Sequence, residues 1–237
     1  MARHIFHVSA TTAVVSNVGG DPASQLPLLA FSLVIASAAT IGWSALDRKR
    51  LEYARLYAWL RLVLRLLLAL TLFEYGMVKV VPAQFGYMTP DRLALPFGAL
   101  TPKQILWAFM ASSPGYTMFT GWIEVAAGAL LLIPRLATLG ALLAATALTN
   151  IVALNLFYDV PVKIFSFHLL LFAILVALPD IPRLADVLLL NRTALPSSPV
   201  RLFRDKRSET RFRWASFGLA ALWVASIAYG IFRYFTR

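Results

Sequence analysis

The stretch "NLFYDVPVKIFSFHLLL", Asn155 to Leu171, closes one long apolar run and opens another, with Pro161 marking a tight turn between them. Both flanking runs approach the ~20 apolar residues needed to cross roughly 30 Å of hydrocarbon. That reading decides the fold class: an all-α, polytopic transmembrane helical bundle. It also raises a difficulty, because Asn155, Tyr158, Asp159, Lys163, Ser166 and His168 crowd into the same few residues. Polar side chains are expensive at membrane depth, so a concentration of them needs a reason.

Working outward, the whole chain has the same character. Of 237 residues, 59% are hydrophobic and 14% charged, against about 25% charged in an ordinary soluble domain. Mean hydropathy is +0.72. Too little polar surface exists to cover the molecule in water. Six segments qualify as spans: 27–46, 56–78, 117–133, 137–157, 163–179 and 214–233. Residues 1–25 read as a disordered tail, 26–192 as the transmembrane bundle, 193–213 as a basic cytoplasmic loop and 214–237 as the final span. Within the first span, "LVIASAAT" resembles a signal-peptide cleavage site. Cleavage there would leave too few residues to cross back before the basic run at Arg48, Lys49 and Arg50, so the helix is read as retained.

The net charge of +11 sits beside hydrophobic segments, as membrane orientation requires, and not on a separate soluble domain. Nucleic acid is therefore not an expected partner; membrane lipids are. In a six-span topology the 46–56, 134–136 and 180–213 loops share one side and hold thirteen basic residues, against seven on the other. The basic side is expected to be cytoplasmic, with both termini outside, in a bacterial cytoplasmic membrane.

Cysteine is absent, which removes disulfides and thiolate metal or redox chemistry. Histidine occurs only at His4, His7 and His168, so the chain alone cannot place two haem-ligating histidines inside the bundle. No metal site is expected. Between the second and third spans, "TPKQILWAFMASS" predicts a short helix with Thr101 as N-cap and Pro102 at its first position. That helix would lie on the membrane surface or plug the bundle.

On this topology the polar residues fall in one leaflet. Tyr75 and Lys79 end the second span; Glu124 lies about 10 Å into the third; Asn150, Asn155, Tyr158 and Asp159 line the outer part of the fourth; Lys163, Ser166 and His168 open the fifth. An ionisable group in hydrocarbon costs at least ~2.5–3.5 kcal/mol on insertion scales, so it faces a partner or a wet cavity. Glu74, Glu124 and Asp159 can pair with Lys79 and Lys163. An outward-facing polar pocket within the four middle helices follows, with Tyr75, Phe85, Phe119, Tyr158 and Phe165 as walls. The cytoplasmic halves contribute almost nothing to it. Glu124, Lys79 and Asp159 are the candidate catalytic residues; Tyr75, Asn150, Asn155, Tyr158, Lys163 and His168 are the candidate ligand contacts. Plainer readings stay open beside these: Asp159 and Lys163 as solvated turn charges, Lys79 as a snorkelling helix-end lysine, Asn150 as a helix–helix hydrogen bond and His168 as a satisfied buried ring. Arg61 and Arg65, four apart near the cytoplasmic end of the second span, read as a lipid anchor. Trp59, Trp214 and Tyr57 suit an interfacial aromatic belt.

Three blocks, "YGMVKVVPAQF" (75–85), "GWIEVAAGALLLIPR" (121–135) and the opening stretch, together resemble the DoxX-like group of bacterial integral membrane proteins over about residues 50–192. The resemblance implies a four-helix DoxX-like core and a quinone-linked role in electron transfer. Having neither cysteine nor a histidine pair, the chain would depend on a bound quinone, another bound cofactor or a redox partner subunit. Two other function classes stay open: a small-solute transporter, against which stands the lack of any inverted repeat, and a non-catalytic scaffold or accessory subunit.

Overall fold

A computed structural model of the chain describes residues 25–48, 52–81, 83–194, 203 and 205–235. The expected tail, with His4 and His7, lies outside the described residues except for Gln25. The described residues form helices, turns and loops without a strand. Among the described residues nine α-helices follow in order: α1 Gln25–Leu46, α2 Ala54–Val80, α3 Pro90–Leu93, α4 Pro102–Ser112, α5 Pro114–Leu132, α6 Ala137–Phe157, α7 Lys163–Ala177, α8 Ile181–Leu188 and α9 Lys206–Phe235.

Among the described residues, five stretches are long and apolar enough to cross a membrane: Pro27–Leu46, Ala54–Val80, Pro114–Leu132, Ala137–Phe157 and Lys163–Leu188. The chain therefore has the build of a multi-pass membrane protein. Four of these spans form the core. Helix α2 packs on α5, α5 on α6, α6 on α7, and α7 back on α2, closing a ring. Leu68, Ala69, Leu72, Ala127, Leu131, Ala141, Ala144, Leu148, Ala173 and Val176 fill its centre. In lipid no hydrophobic force draws helices together, so association depends on close packing, which small residues permit. The crossing of α2 and α5 uses this directly. A Cβ on Gly76 would lie 2.7 Å from the Gly121 carbonyl oxygen, and a Cβ on Gly121 2.6 Å from that of Gly76.

Two boundaries differ from the sequence reading. The fifth span was expected to end at residue 179 and give way to a loop. Instead a 3-10 turn at Leu178–Asp180 leads into α8, so the helical path runs on to Leu188. Pro179 and Pro182 permit this because each occupies the first turn of its segment, where the missing N–H has no partner to lose. The expected basic loop, 193–213, is likewise helical from Lys206. There Asp205 accepts hydrogen bonds from the backbone N–H and hydroxyl of Ser208, as a capping residue does.

Outside the ring, α1 has no buried side chain among those described. The short helix α4 forms as its capping signal requires. Thr101 accepts from the Gln104 backbone N–H while the Gln104 side chain accepts from that of Thr101. Thr117, fully buried in α5, donates to the Met110 carbonyl at 2.8 Å and pins α4 across the end of the ring.

Candidate functional site

Helix α2 ends one residue past Lys79, whereas Glu124 lies ten residues into α5, about 15 Å from its start. The earlier start of α5, at Pro114 behind the Ser113 cap, makes Glu124 deeper than the sequence suggested. The two side chains nevertheless meet, because the glycine crossing one turn away brings the backbones together. Lys79 Nζ donates to Glu124 Oε1 in a direct ion pair, with both residues buried. Lys79 is thus turned inward and does not snorkel.

Since α2 stops short, the space beyond its end is filled by the 83–101 segment and α4. Arg92 braces that segment by donating to the Phe85 and Tyr87 carbonyls. Phe85 packs edge-on against Trp107, with ring centroids 5.1 Å apart, and joins Leu106, Met110 and Val160 in a second apolar cluster. Beneath this cover lies a cavity of about 410 Å³. Its polar groups are Lys79, Glu124, Lys103, Gln84, Asn150, Asn155, Thr71, Thr120 and Ser166, while Tyr75, Trp107, Phe109, Tyr116 and Phe165 supply aromatic walls. Tyr75 and Phe165 stand side by side, 5.9 Å between centroids, where α2 meets α7. Such a volume suits a small organic ligand, and a mainly apolar wall with few polar groups is the usual make-up of a ligand site.

The ring thus brings together Tyr75, Lys79, Glu124, Asn150 and Asn155, as expected. Other expected residues lie elsewhere. Asp159 is exposed and forms a 2.7 Å ion pair with Lys163; both line a shallower groove of about 390 Å³ with Thr101, Pro102, Lys103 and Pro161. Asp159 therefore sits at the mouth, not among the buried groups, because the turn after α6 places it beyond the helix end. Lys163 holds the Asp159 carboxyl below the usual carboxylate range, through the hydrogen bond and its charge. Tyr158 packs into the second apolar cluster and does not line the cavity. His168 donates from Nδ1 to the Ile164 carbonyl one turn back, and it too is off the cavity. Glu74 points outward and is exposed, and Phe119 is likewise exposed and off the cavity wall.

Sequence reasoning missed Gln84, Lys103, Trp107 and Thr120. The Leu106–Met110 spacing on a helix already known to be capped was the available signal for an α4 that closes the ring. It also missed a polar cluster at the opposite end, where the helices were expected to be bare. Buried Asp180 accepts from Arg61 at 2.6 Å, Thr138 at 2.6 Å and Arg183 at 2.8 Å. Arg61 also donates through Nε to the Val176 carbonyl at 2.9 Å. Arg61 is therefore a tie between α2 and α7, in place of the lipid anchor expected of it. Arg65 makes no such tie.

Compared with curated proteins, the chain is 39% identical over 116 residues to an uncharacterized protein of Bacillus subtilis (strain 168), YwoB, in an alignment covering 49% of this chain and 73% of the relative. The chain belongs to the YwoB family. No family model matches it, and no solved structure does. The shared 116 residues amount to about half of this YwoB-family chain.

Proposed function

We propose that this protein binds the head of a quinone, or another flat amphipathic molecule, in the cavity under α4, as part of a membrane redox system. One observation carries the reading: a buried Lys79–Glu124 pair faces a cavity of about 410 Å³ whose other walls are largely aromatic and aliphatic. A quinone head is a flat ring with two carbonyl acceptors. Lys79 has donors beyond the one spent on Glu124 and can offer one to a carbonyl oxygen. Glu124, within reach of the same oxygen, can hold or pass a proton. Tyr75, Trp107 and Phe165 offer faces to the ring, and the residues present therefore fit the group. A quinone, when bound, supplies two-electron, two-proton chemistry that no side chain here provides. The electron donor belongs to a partner subunit or a second bound cofactor.

The setting we infer is a bacterial cytoplasmic membrane. The C-terminal helix α9 serves as a sixth span, the four central helices form a DoxX-like core, and both termini lie outside. The test is gentle purification followed by mass spectrometry of co-purified small molecules, for the wild type and for a Lys79→Met/Glu124→Leu double variant. An isoprenoid quinone retained by the wild type and lost from the variant supports the reading. Bulk phospholipid alone in both preparations overturns it and favours a scaffold, in which the ion pair serves only to lock α2 to α5.

A further inference from the structure

A cavity of about 410 Å³ has room for a ring and its substituents, so a long isoprenoid or acyl chain attached to that ring must leave through a wall. How each seam of the four-helix ring is closed decides which wall. Between α2 and α5 the backbones touch at Gly76 and Gly121. Between α6 and α7 the turn is tied by backbone hydrogen bonds, from the Val160 N–H to the Asn155 carbonyl and from the Val162 N–H to that of Val160. Between α5 and α6 the helices touch toward the opposite end, where a Cβ on Gly140 would lie 2.6 Å from the Leu131 nitrogen. At the cavity end α4 covers that seam: Phe109 meets Tyr116 at 5.7 Å between centroids, and Leu106 and Met110 cluster with Leu154. The seam between α2 and α7 is closed differently. Arg61 holds it at the far end by donating to the Val176 carbonyl, but at the cavity end two side-chain rings close it. Tyr75 and Phe165 stand 5.9 Å apart between centroids, tilted by 38°. Both line the cavity, and both are exposed on their other side, at 41% and 44%. Each lies in a stretch long and apolar enough to cross a membrane, so the surface they expose faces lipid. Exposed rings turn about their side-chain torsions quickly, whereas touching backbones do not part.

We propose that the cavity ligand is a lipid-borne molecule with an apolar tail, which enters from the bilayer between α2 and α7 and leaves its tail in that seam. The inference rests on the reading of the cavity as a site for a flat amphipathic head, and adds the tail and its route. Thr71 and Leu169, one turn deeper than Tyr75 and Phe165, line the cavity on the same two helices. Leu67 and Phe172 continue these rows along α2 and α7, giving the tail an apolar bed. The other way out runs past Lys103 and Pro161, which line both the cavity and the groove at Asp159. That path is charged and ends in water, where every CH₂ of a tail is penalised. In the seam the tail exchanges one hydrocarbon surface for another, while its head reaches Lys79 and Glu124.

The test uses the full chain in phosphatidylcholine nanodiscs. The probe is a methylated naphthoquinone with a decyl tail that carries a diazirine close to the ring. After illumination, peptide mass spectrometry maps the labelled positions. Labelling is expected on α2 between Leu67 and Tyr75 and on α7 between Phe165 and Phe172. An excess of the same quinone without the diazirine should lower it about tenfold or more, and the Lys79→Met/Glu124→Leu variant should not show it. Competed labelling at Phe109, Tyr116 or Asn150 overturns the α2–α7 route while leaving a ligand in the cavity. Seam labelling that persists in the double variant also overturns it, since the tail would then rest there with no head inside. Labelling that the excess lowers nowhere removes the cavity ligand itself, and the tail with it. Because the chain lacks cysteine, Tyr75→Cys/Phe165→Cys can be bridged across the seam by a bis-thiol tether that reductant removes. Bridging should slow uptake of the tailed probe about tenfold or more, and removing the tether should restore it. Equal uptake by the bridged and unbridged forms overturns the proposal.

Discussion

Lys79 and Glu124 illustrate what one pair of side chains can decide. Each alone is a charge in hydrocarbon; together they offset most of that cost, so removing either leaves the other stranded. Lys79→Met or Glu124→Leu alone is expected to destabilise the fold by about 3–5 kcal/mol. The double variant should recover to within about 1 kcal/mol of the wild type and yet fail to retain the cavity ligand. Thermal unfolding in detergent measures the first outcome and co-purification the second; a double variant as unstable as the singles would show that the pair is not a closed unit. Asp159 behaves differently. Its backbone is left-handed, with φ 51°, which asparagine accepts and valine resists. Asp159→Asn should leave the melting temperature at pH 7 nearly unchanged, as an exposed ion pair contributes little, whereas Asp159→Val should cost about 1–2 kcal/mol. Lys163 lowers the folded-state value of this carboxyl, so the pair's small contribution is present above the ordinary carboxylate range and is lost as pH falls through the lowered value. The wild type and Asp159→Asn should therefore converge in acid. Which of these roles could be read in the sequence depended on depth alone. Glu124 announces itself by lying mid-span, while Asp180 follows Pro179 and looks like any loop residue until α8 is seen to continue the helix.

Helices, more than residues, shape the cavity, and the crossing of α2 with α5 controls it. A valine at Gly76 would press on the Gly121 carbonyl and on Val125 at under 3 Å, and neither backbone can yield without parting the helices. Gly76→Val is expected to cost about 3 kcal/mol and to release the cavity ligand, since parting α2 from α5 separates Lys79 from Glu124. Gly115→Ala serves as the control. Nothing lies within 4 Å of its added Cβ, so a change of about 1 kcal/mol in the stabilising direction follows from helix propensity. If both variants melted alike, the close crossing would not be limiting. The span bounds were legible because apolar length and proline punctuation act locally: the fourth span, 137–157, coincides with α6. The lid was not. Thr101, Pro102 and Gln104 dictate that α4 forms, but its docking depends on Phe85, Met110, Thr117 and Val160 meeting from four separate parts of the chain. No local pattern encodes that meeting.

At the scale of the whole molecule, the chain separates a cavity end from an arginine-rich end, and the bilayer must distinguish them. The cavity end carries few basic groups outside the bundle; the other carries Arg183, Arg192, Arg207 and Arg211 beside the arginines on α2. Basic loops are retained on the cytoplasmic side, so the cavity should open outward, toward the side from which a periplasmic or extracellular donor could reach it. The absence of cysteine makes this directly measurable. Leu93 is 69% exposed in the segment covering the cavity, and Leu189 is 81% exposed just past α8; both lie outside the bounds of the five spans, so a cysteine at either place disturbs no packing. In intact cells, a membrane-impermeant maleimide should label Leu93→Cys and spare Leu189→Cys until the membrane is permeabilised. The reverse pattern would turn the cavity toward the cytoplasm and make a cytoplasmic reductant its natural donor. Labelling of both in intact cells would mean that α7 and α8 do not together cross the bilayer. In that case the continuous helical path from Lys163 to Leu188 would have to lie along a surface, which its buried Ser166, Ala173 and Val176 contradict.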